Sequence, residues 1–234
     1  MHSNSRRSIF KLIGASTLLS LIDINSSLAA SDTPPIPSNV MTPDAALRRL
    51  MDGNKRYVSG KVAAKDFAKT RAALTKGQNP YASILSCADS RVSPELCFDE
   101  SRGDLFVNRL AGNYVSADIL ASIEYGAAVL NAPLIMVLGH TECGAIKSSI
   151  KAEKDNIDFP GHIQTITTNL SGAIKAGRKE GGDLLISSTL ENIKINVGKL
   201  KESTPLLRKL VQENKLLIVG GLYHLDTGKV ELVS

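Results

Sequence analysis

Short apolar runs alternate with longer stretches of helical periodicity along most of the chain. Five of these runs predict β-strands, at residues 81–86, 104–109, 133–138, 216–220 and 230–233. The first four are apolar almost throughout, which is typical of parallel strands buried on both faces, and the last predicts an edge strand. The pattern therefore favours one central sheet that is mostly parallel.

Helical stretches lie between several of these strands. Thr42-Pro43-Asp44 supplies a cap, a first-turn proline and an early acid, which predicts a helix from Thr42 toward Tyr57. Apolar residues at helical spacing predict further helices at 116–131 and 183–201, and a Thr-Pro pair opens another at 204–214. The fold class is therefore α/β: a single domain with about four parallel strands plus an edge strand, flanked by helices, with an N-terminal helical arm.

Composition sets limits on the class of protein. The chain has 234 residues and 43% hydrophobic content, enough for one sizeable core. The net charge is +5, and the first thirty residues hold three basic and one acidic side chain, so about +3 remains without them. With five Phe, five Tyr and no Trp there is no aromatic ladder for stacking bases. Nucleic acid is therefore not an expected partner.

The first thirty residues have the pattern of a targeting signal. Ser5-Arg6-Arg7-Ser8-Ile9-Phe10-Lys11 resembles a twin-arginine export motif, followed by an apolar stretch and Ser27-Leu28-Ala29-Ala30. We predict a cleavable export signal at 1–30, a linker at 31–41, a domain at 42–234 and a periplasmic or otherwise exported bacterial protein. The apolar stretch is too short for a membrane anchor, since a span needs about 20 apolar residues. The alternative is a disordered basic tail on a cytoplasmic protein.

Two clusters of reactive residues stand next to predicted strands. Cys87, Asp89 and Arg91 follow the first strand, and His140 and Cys143 follow the third. Two thiolates and one imidazole are typical zinc ligands, and a site with three protein ligands keeps a fourth position for water. If the two strands are neighbours, both clusters meet at their carboxyl ends. Taken singly, each cysteine could be a buried small side chain and Asp89 with Arg91 a surface ion pair, but the joint pattern favours a catalytic zinc site.

The same clusters carry a family resemblance. In order and spacing, four segments resemble the β-class carbonic anhydrases: residues 87–95, 103–109, 111–113 and 139–144. The resemblance implies one Zn²⁺ per subunit, held by Cys87, His140 and Cys143. It also implies reversible hydration of carbon dioxide to bicarbonate and a proton, by attack of zinc-bound hydroxide on carbon dioxide.

The resemblance gives Asp89 and Arg91 catalytic roles. Asp89 is expected to accept a hydrogen bond from zinc-bound water, while Arg91 pairs with the carboxylate and holds it away from the metal. If Arg91 released the carboxylate, Asp89 would become a possible fourth ligand in a closed state.

Further pocket positions follow from the resemblance one by one. Gln78 matches a glutamine that hydrogen-bonds bicarbonate, Phe106 and Tyr125 match aromatic residues of the substrate channel, and the backbone amide of Gly144 is expected to face the substrate. Each could instead be packing, and the helical setting of Tyr125 by itself favours a place in the core. Family members are dimers or multiples of dimers, so a homodimer or homotetramer is expected.

Two other functions remain compatible with the sequence. A related hydrolase on the same scaffold could cleave carbon disulfide or carbonyl sulfide, because channel shape decides the substrate. A non-catalytic zinc- or anion-binding protein would account for the ligands, but not for Asp89, Arg91 and Gln78 together.

Overall fold

The structure is a computed structural model that describes residues 39–234. The predicted export signal at 1–30 and most of the predicted linker at 31–41 lie outside the described residues. Across 39–234, none of the helices is both long enough and apolar enough to cross a bilayer.

A five-stranded sheet runs through the described part of the chain. Its strands are β1 (Ala82–Ser86), β2 (Leu105–Arg109), β3 (Leu134–His140), β4 (Leu217–Tyr223) and β5 (Val230–Val233). They lie in the order β2-β1-β3-β4-β5, with β5 antiparallel to β4 and all other neighbours parallel. This confirms the mostly parallel sheet with an edge strand. β3 and β4 both extend further toward their carboxyl ends than the apolar runs predicted.

Helices cover both faces of this sheet. They are α1 (Pro43–Val58), α2 (Phe67–Leu74), α3 (Pro94–Cys97), α4 (Ala117–Ala128), α5 (Gly144–Asp155), α6 (Ile163–Glu180), α7 (Leu184–Lys201) and α8 (Leu207–Gln212). The prediction for 204–214 was wrong at its start, because Thr204 and Pro205 lie in a turn and α8 begins only at Leu207. The long helix α6 was not predicted.

Side-chain caps fix the beginnings of α1 and α7. The Thr42 hydroxyl accepts a hydrogen bond from the Ala45 amide at 3.3 Å. One carboxylate oxygen of Asp183 accepts from the amides of Leu185 and Ile186, at 2.8 and 3.0 Å. Because the first amides of a helix have no partner within it, such caps place the boundary where the sequence predicted it.

The core lies in layers on the two faces of the sheet. One face packs against Leu50 of α1 and against Phe98, which follows α3, and the other packs against Ile123 of α4 and Ile193 of α7. All seven residues of β3 are buried, which is why this strand reads as a continuous apolar run. Its neighbours β1 and β4 are parallel to it, so their carboxyl ends share one edge of the sheet.

Two helical glycines give a direct test of this packing. A Cβ at Gly53 in α1 would lie 1.8 Å from the Phe98 carbonyl oxygen, whereas a Cβ at Gly198 in α7 would meet no atom within 4 Å. We expect Gly53→Ala to lower the free energy of unfolding by about 3 kcal/mol or more, because the backbone must move. Gly198→Ala is the control and should raise it by up to about 1 kcal/mol, because alanine favours a helix. Urea unfolding of both variants measures this, and equal effects would contradict the packing described.

Candidate metal centre

Three ligand-type side chains meet at the carboxyl ends of β1 and β3. The two strands are direct neighbours, with Ser86 opposite Leu138, so Cys87 comes beside the end of β3. Cys87, His140 and Cys143 are 4%, 0% and 1% exposed, and their donor atoms all lie within 4.8 Å of one another. The predicted convergence is confirmed. His140 is the last residue of β3 and does not follow the strand as predicted, because pairing with Tyr223 of β4 extends it.

One ring nitrogen of His140 is free for a metal. Its Nδ1 lies 2.8 Å from the Thr141 carbonyl oxygen, which can only accept, so Nδ1 carries the proton. Its Nε2 is buried and has no hydrogen-bond partner among the described residues. A buried nitrogen without a partner is costly, and a metal cation would satisfy it. With two sulfurs beside it, the donor set fits zinc.

Each of the two sulfurs changes the acidity of the other. The hydrogen bond from the Cys143 thiol lowers the pKa of Cys87 against the opposing effect of burial, and His140 and the Gly112 amide lower it further. The same contact with Cys87, together with burial, raises the pKa of Cys143. A metal ligated by both thiolates would displace their protons.

Asp89 and Arg91 form a bidentate salt bridge beside these ligands. Arg91 donates from Nε and Nη2 to the two carboxylate oxygens of Asp89, at 2.9 and 2.7 Å, and from Nη2 to the Glu142 carbonyl at 3.3 Å. These bonds hold the pKa of Asp89 well below its usual range, so the carboxylate is charged and only accepts. Asp89 Oδ2 lies 3.9 Å from His140 Nε2. The carboxylate therefore borders the ligand cluster while Arg91 holds it.

Two residues for which the sequence predicted no role also contact the site. Arg109 donates from Nε to the Cys87 carbonyl at 3.1 Å and from Nη2 to the Asp89 carbonyl at 2.8 Å. The Gly112 amide lies 3.4 Å from the Cys87 sulfur. Arg109 ends β2, next to β1, so strand pairing brings it there. All three contacts involve a backbone group, which every residue possesses, so no pattern of residue types predicts them.

Three predicted pocket residues do not join the ligand cluster of their own chain. Gln78 is exposed and precedes the start of β1, and Phe106 lies opposite Ser83 near that start. The rings of Phe106 and Tyr125 are 6.0 Å apart. Cys87 follows the other end of β1, about 13 Å from Ser83 at the usual rise of a strand. These side chains therefore border the amino end of the strand.

The remaining pocket predictions have different outcomes. Tyr125 is 48% exposed, so the packing alternative that placed it in the core was wrong. Gly144 is the first residue of α5, directly after Cys143, and a Cβ there would meet no atom within 4 Å. The backbone of Gly144 thus borders open space next to a ligand.

Known proteins are similar to this chain in sequence and in fold. A family model described as carbonic anhydrase matches residues 82–230. A carbonic anhydrase of Mycolicibacterium smegmatis is 37% identical over 82% of this chain and 94% of its own length. Carbonic anhydrase 2 of Mycobacterium tuberculosis is 36% identical over 81% of this chain and 92% of its own. The solved structure of the β-carbonic anhydrase CcaA matches 80% of this chain and 95% of its own, with 26% identity and a TM-score of 0.65.

Proposed function

The chain belongs to the carbonic anhydrase family, so its reaction is the reversible hydration of carbon dioxide, and we propose that this reaction uses a zinc ion held by Cys87, His140 and Cys143. The observation that carries the metal assignment is the unpartnered Nε2 of His140, within 4.8 Å of two sulfurs. Bound zinc would act as a Lewis acid that lowers the pKa of water to near neutrality.

The neighbours of this cluster would orient the reactants. Asp89 is charged and can only accept, so it would take a hydrogen bond from the attacking water and fix its direction. Arg91 donates to both oxygens of Asp89, which would keep the carboxylate from becoming a fourth ligand. The Gly144 amide opens α5, and a helix N-terminus favours the negative charge of bicarbonate.

We propose further that a second copy of the chain completes each site. Gln78, Phe106 and Tyr125 lie toward the opposite end of β1 from the ligands of their own chain. Nearly half of the Tyr125 side chain is exposed, as is suitable for a contact with another subunit. The partner subunit would then place this glutamine and the two aromatic rings over the ligand cluster, in a homodimer or homotetramer.

Complementation between two inactive variants tests this arrangement. Cys87→Ser should inactivate by loss of a ligand, and a chain with both Gln78→Ala and Tyr125→Ala should inactivate by loss of the substrate pocket. If the pocket comes from the partner, a mixed dimer keeps one site with all its residues. Co-expression of the two chains with different tags, followed by tandem purification, should therefore restore part of the carbon dioxide hydration rate. Mixed dimers as inactive as either parent would contradict the shared site.

The other candidate functions are less well supported. The matched relatives bear the name carbonic anhydrase, which does not favour a hydrolase of carbon disulfide or carbonyl sulfide. A non-catalytic zinc protein would give no reason for a charged carboxylate held beside the ligands by Arg91. Zinc-loaded protein that turned over carbon disulfide but not carbon dioxide would favour the hydrolase over the carbonic anhydrase.

We also propose that residues 1–30 direct export by the twin-arginine route to the periplasm. The support is the sequence Ser5-Arg6-Arg7 with the apolar stretch after it. That route carries folded protein, so zinc would already protect Cys87 and Cys143 from oxidation. N-terminal sequencing of protein from the periplasmic fraction should find a start close to Ser31. Full-length protein confined to the cytoplasm would contradict export.

A further inference from the structure

Two asparagines on α7 are buried and form a polar ladder. Asn192 and Asn196 are 2% and 1% exposed. Nδ2 of Asn196 donates to the backbone carbonyl oxygen of Asn192 at 2.7 Å and to the side-chain Oδ1 of Asn192 at 2.9 Å. Since buried polar side chains are costly unless hydrogen-bonded, their positions are defined by the groups that they bind.

The ladder holds the loop between β2 and α4. Nδ2 of Asn192 donates to the Gly112 carbonyl at 2.9 Å, and Oδ1 of Asn196 accepts from the Val115 amide at 2.8 Å. The two bonds attach this loop at two points to a helix about eighty residues further along the chain. Each asparagine uses its Oδ1 as an acceptor and its Nδ2 as a donor, so the arrangement depends on both.

The loop has a backbone conformation that needs such support. Gly112 and Asn113 both have positive φ, at 84° and 39°. A Cβ at position 112 would lie 2.8 Å from Leu170 Cδ1, so only glycine fits. In this conformation the Gly112 amide faces the Cys87 sulfur at 3.4 Å while the carbonyl of the same residue faces Asn192. One residue thus joins the ladder to a metal ligand.

The same helix also packs against the strand that carries His140. A Cβ at Gly139 would lie 2.7 Å from Ile193 Cδ1, so α7 lies directly against the residue before the ligand. Ile193 follows Asn192 in the sequence. A single turn of α7 therefore contacts both Gly112 and the end of β3.

We infer that Asn192 and Asn196 are positioning residues for the metal centre: they hold Gly112 so that its amide donates to the Cys87 sulfur. The inference rests on the proposed zinc site and deepens it. An amide that donates to a thiolate fixes the direction of the sulfur and draws electron density from it, as outer hydrogen bonds do at metal sites. Loss of the ladder should leave the three ligands in place but with Cys87 less firmly oriented.

The absorption spectrum of cobalt-substituted protein is a readout that general destabilisation does not change. Full-length protein is purified as wild type, Asn192→Ala and Asn196→Ala, each loaded with Co²⁺, and the thiolate-to-cobalt absorption bands are recorded. Zinc-loaded samples are then mixed with a coloured chelator and the rate of metal loss is measured. We expect both variants to shift the cobalt bands and to lose zinc about tenfold faster, the lower end of the range for outer partners of metal ligands.

Asn54→Ala is the matched control. Asn54 is a buried asparagine on α1 whose Nδ2 donates to the Cys97 and Gly228 carbonyls at 2.9 Å each, and whose Oδ1 accepts from the Val230 amide at 2.8 Å. Its loss should lower stability without changing cobalt bands or zinc release. If Asn192→Ala does not fold, Asn192→Ser and Asn196→Ala give the same comparison.

The outcomes separate the inference from the function on which it rests. Unchanged bands and release rates in the ladder variants, or equal changes in Asn54→Ala, would overturn the positioning role while leaving the zinc site intact. Wild-type protein that retains neither cobalt nor zinc would overturn the proposed site and the inference with it.

Discussion

Replacing His140 with alanine is expected to abolish metal retention and carbon dioxide hydration together. The variant loses the only nitrogen in a buried donor set whose other members are the sulfurs of Cys87 and Cys143. Loss of an outer partner typically costs 10- to 100-fold in affinity, so loss of a direct ligand should cost more than about 100-fold. Zinc content after dialysis against a chelator, and the hydration rate of the same sample, measure the two effects.

The histidine at the start of α6 is the control for this variant. His162 is exposed, precedes Ile163 and is not one of the three clustered donors. His162→Ala should therefore keep wild-type zinc and wild-type activity. If the variant His140→Ala retained zinc and hydrated carbon dioxide like the wild type, the ligand assignment would be wrong.

Replacing Asp89 with alanine is expected to remove activity but not the metal. Asp89 is not one of the three clustered donors, so zinc should stay. The variant loses the charged acceptor that would orient the attacking water, and a positioned acid or base typically contributes about 100-fold or more to a rate. The hydration rate constant per bound zinc should therefore fall by about 100-fold, with unchanged zinc content.

A second acidic residue shows whether the effect is specific. Asp52 forms an ion pair with Lys55 at 2.8 Å on the exposed side of α1. Such surface pairs contribute little, so Asp52→Ala should behave as wild type. Arg91→Ala should also lose activity, because Asp89 Oδ2 lies 3.9 Å from His140 Nε2 and would be free to turn toward the metal. Full activity per zinc in Asp89→Ala would contradict the role of the carboxylate.

The sequence predicted the metal cluster because few arrangements could bring its members together. Residues 87 and 140 each stand at the end of an apolar run, and parallel neighbouring strands place such ends at one edge. Thr42 and Asp183 placed their helix starts correctly, because caps act within a few residues. Local signals of this kind predict structure without knowledge of the rest of the fold.

What the sequence missed depends on contacts between distant segments. α6 has apolar residues at helical spacing, but threonines and glycines interrupt them, and its stability comes from packing against α5 and α7. The Gly112 amide and the asparagine ladder act through backbone groups that every residue possesses. Gln78 is separated from the ligands of its own chain by the length of β1, and this separation is evident only in the folded structure.

Zinc content and carbon dioxide hydration, measured on one preparation, test the central claim most directly. The purified wild-type protein should contain close to one zinc per chain and hydrate carbon dioxide. The rate should fall in proportion as a chelator removes the metal and should return when zinc is restored. Hydration that persists in fully stripped protein, or one zinc per chain with no hydration, would contradict a catalytic zinc ion held by Cys87, His140 and Cys143.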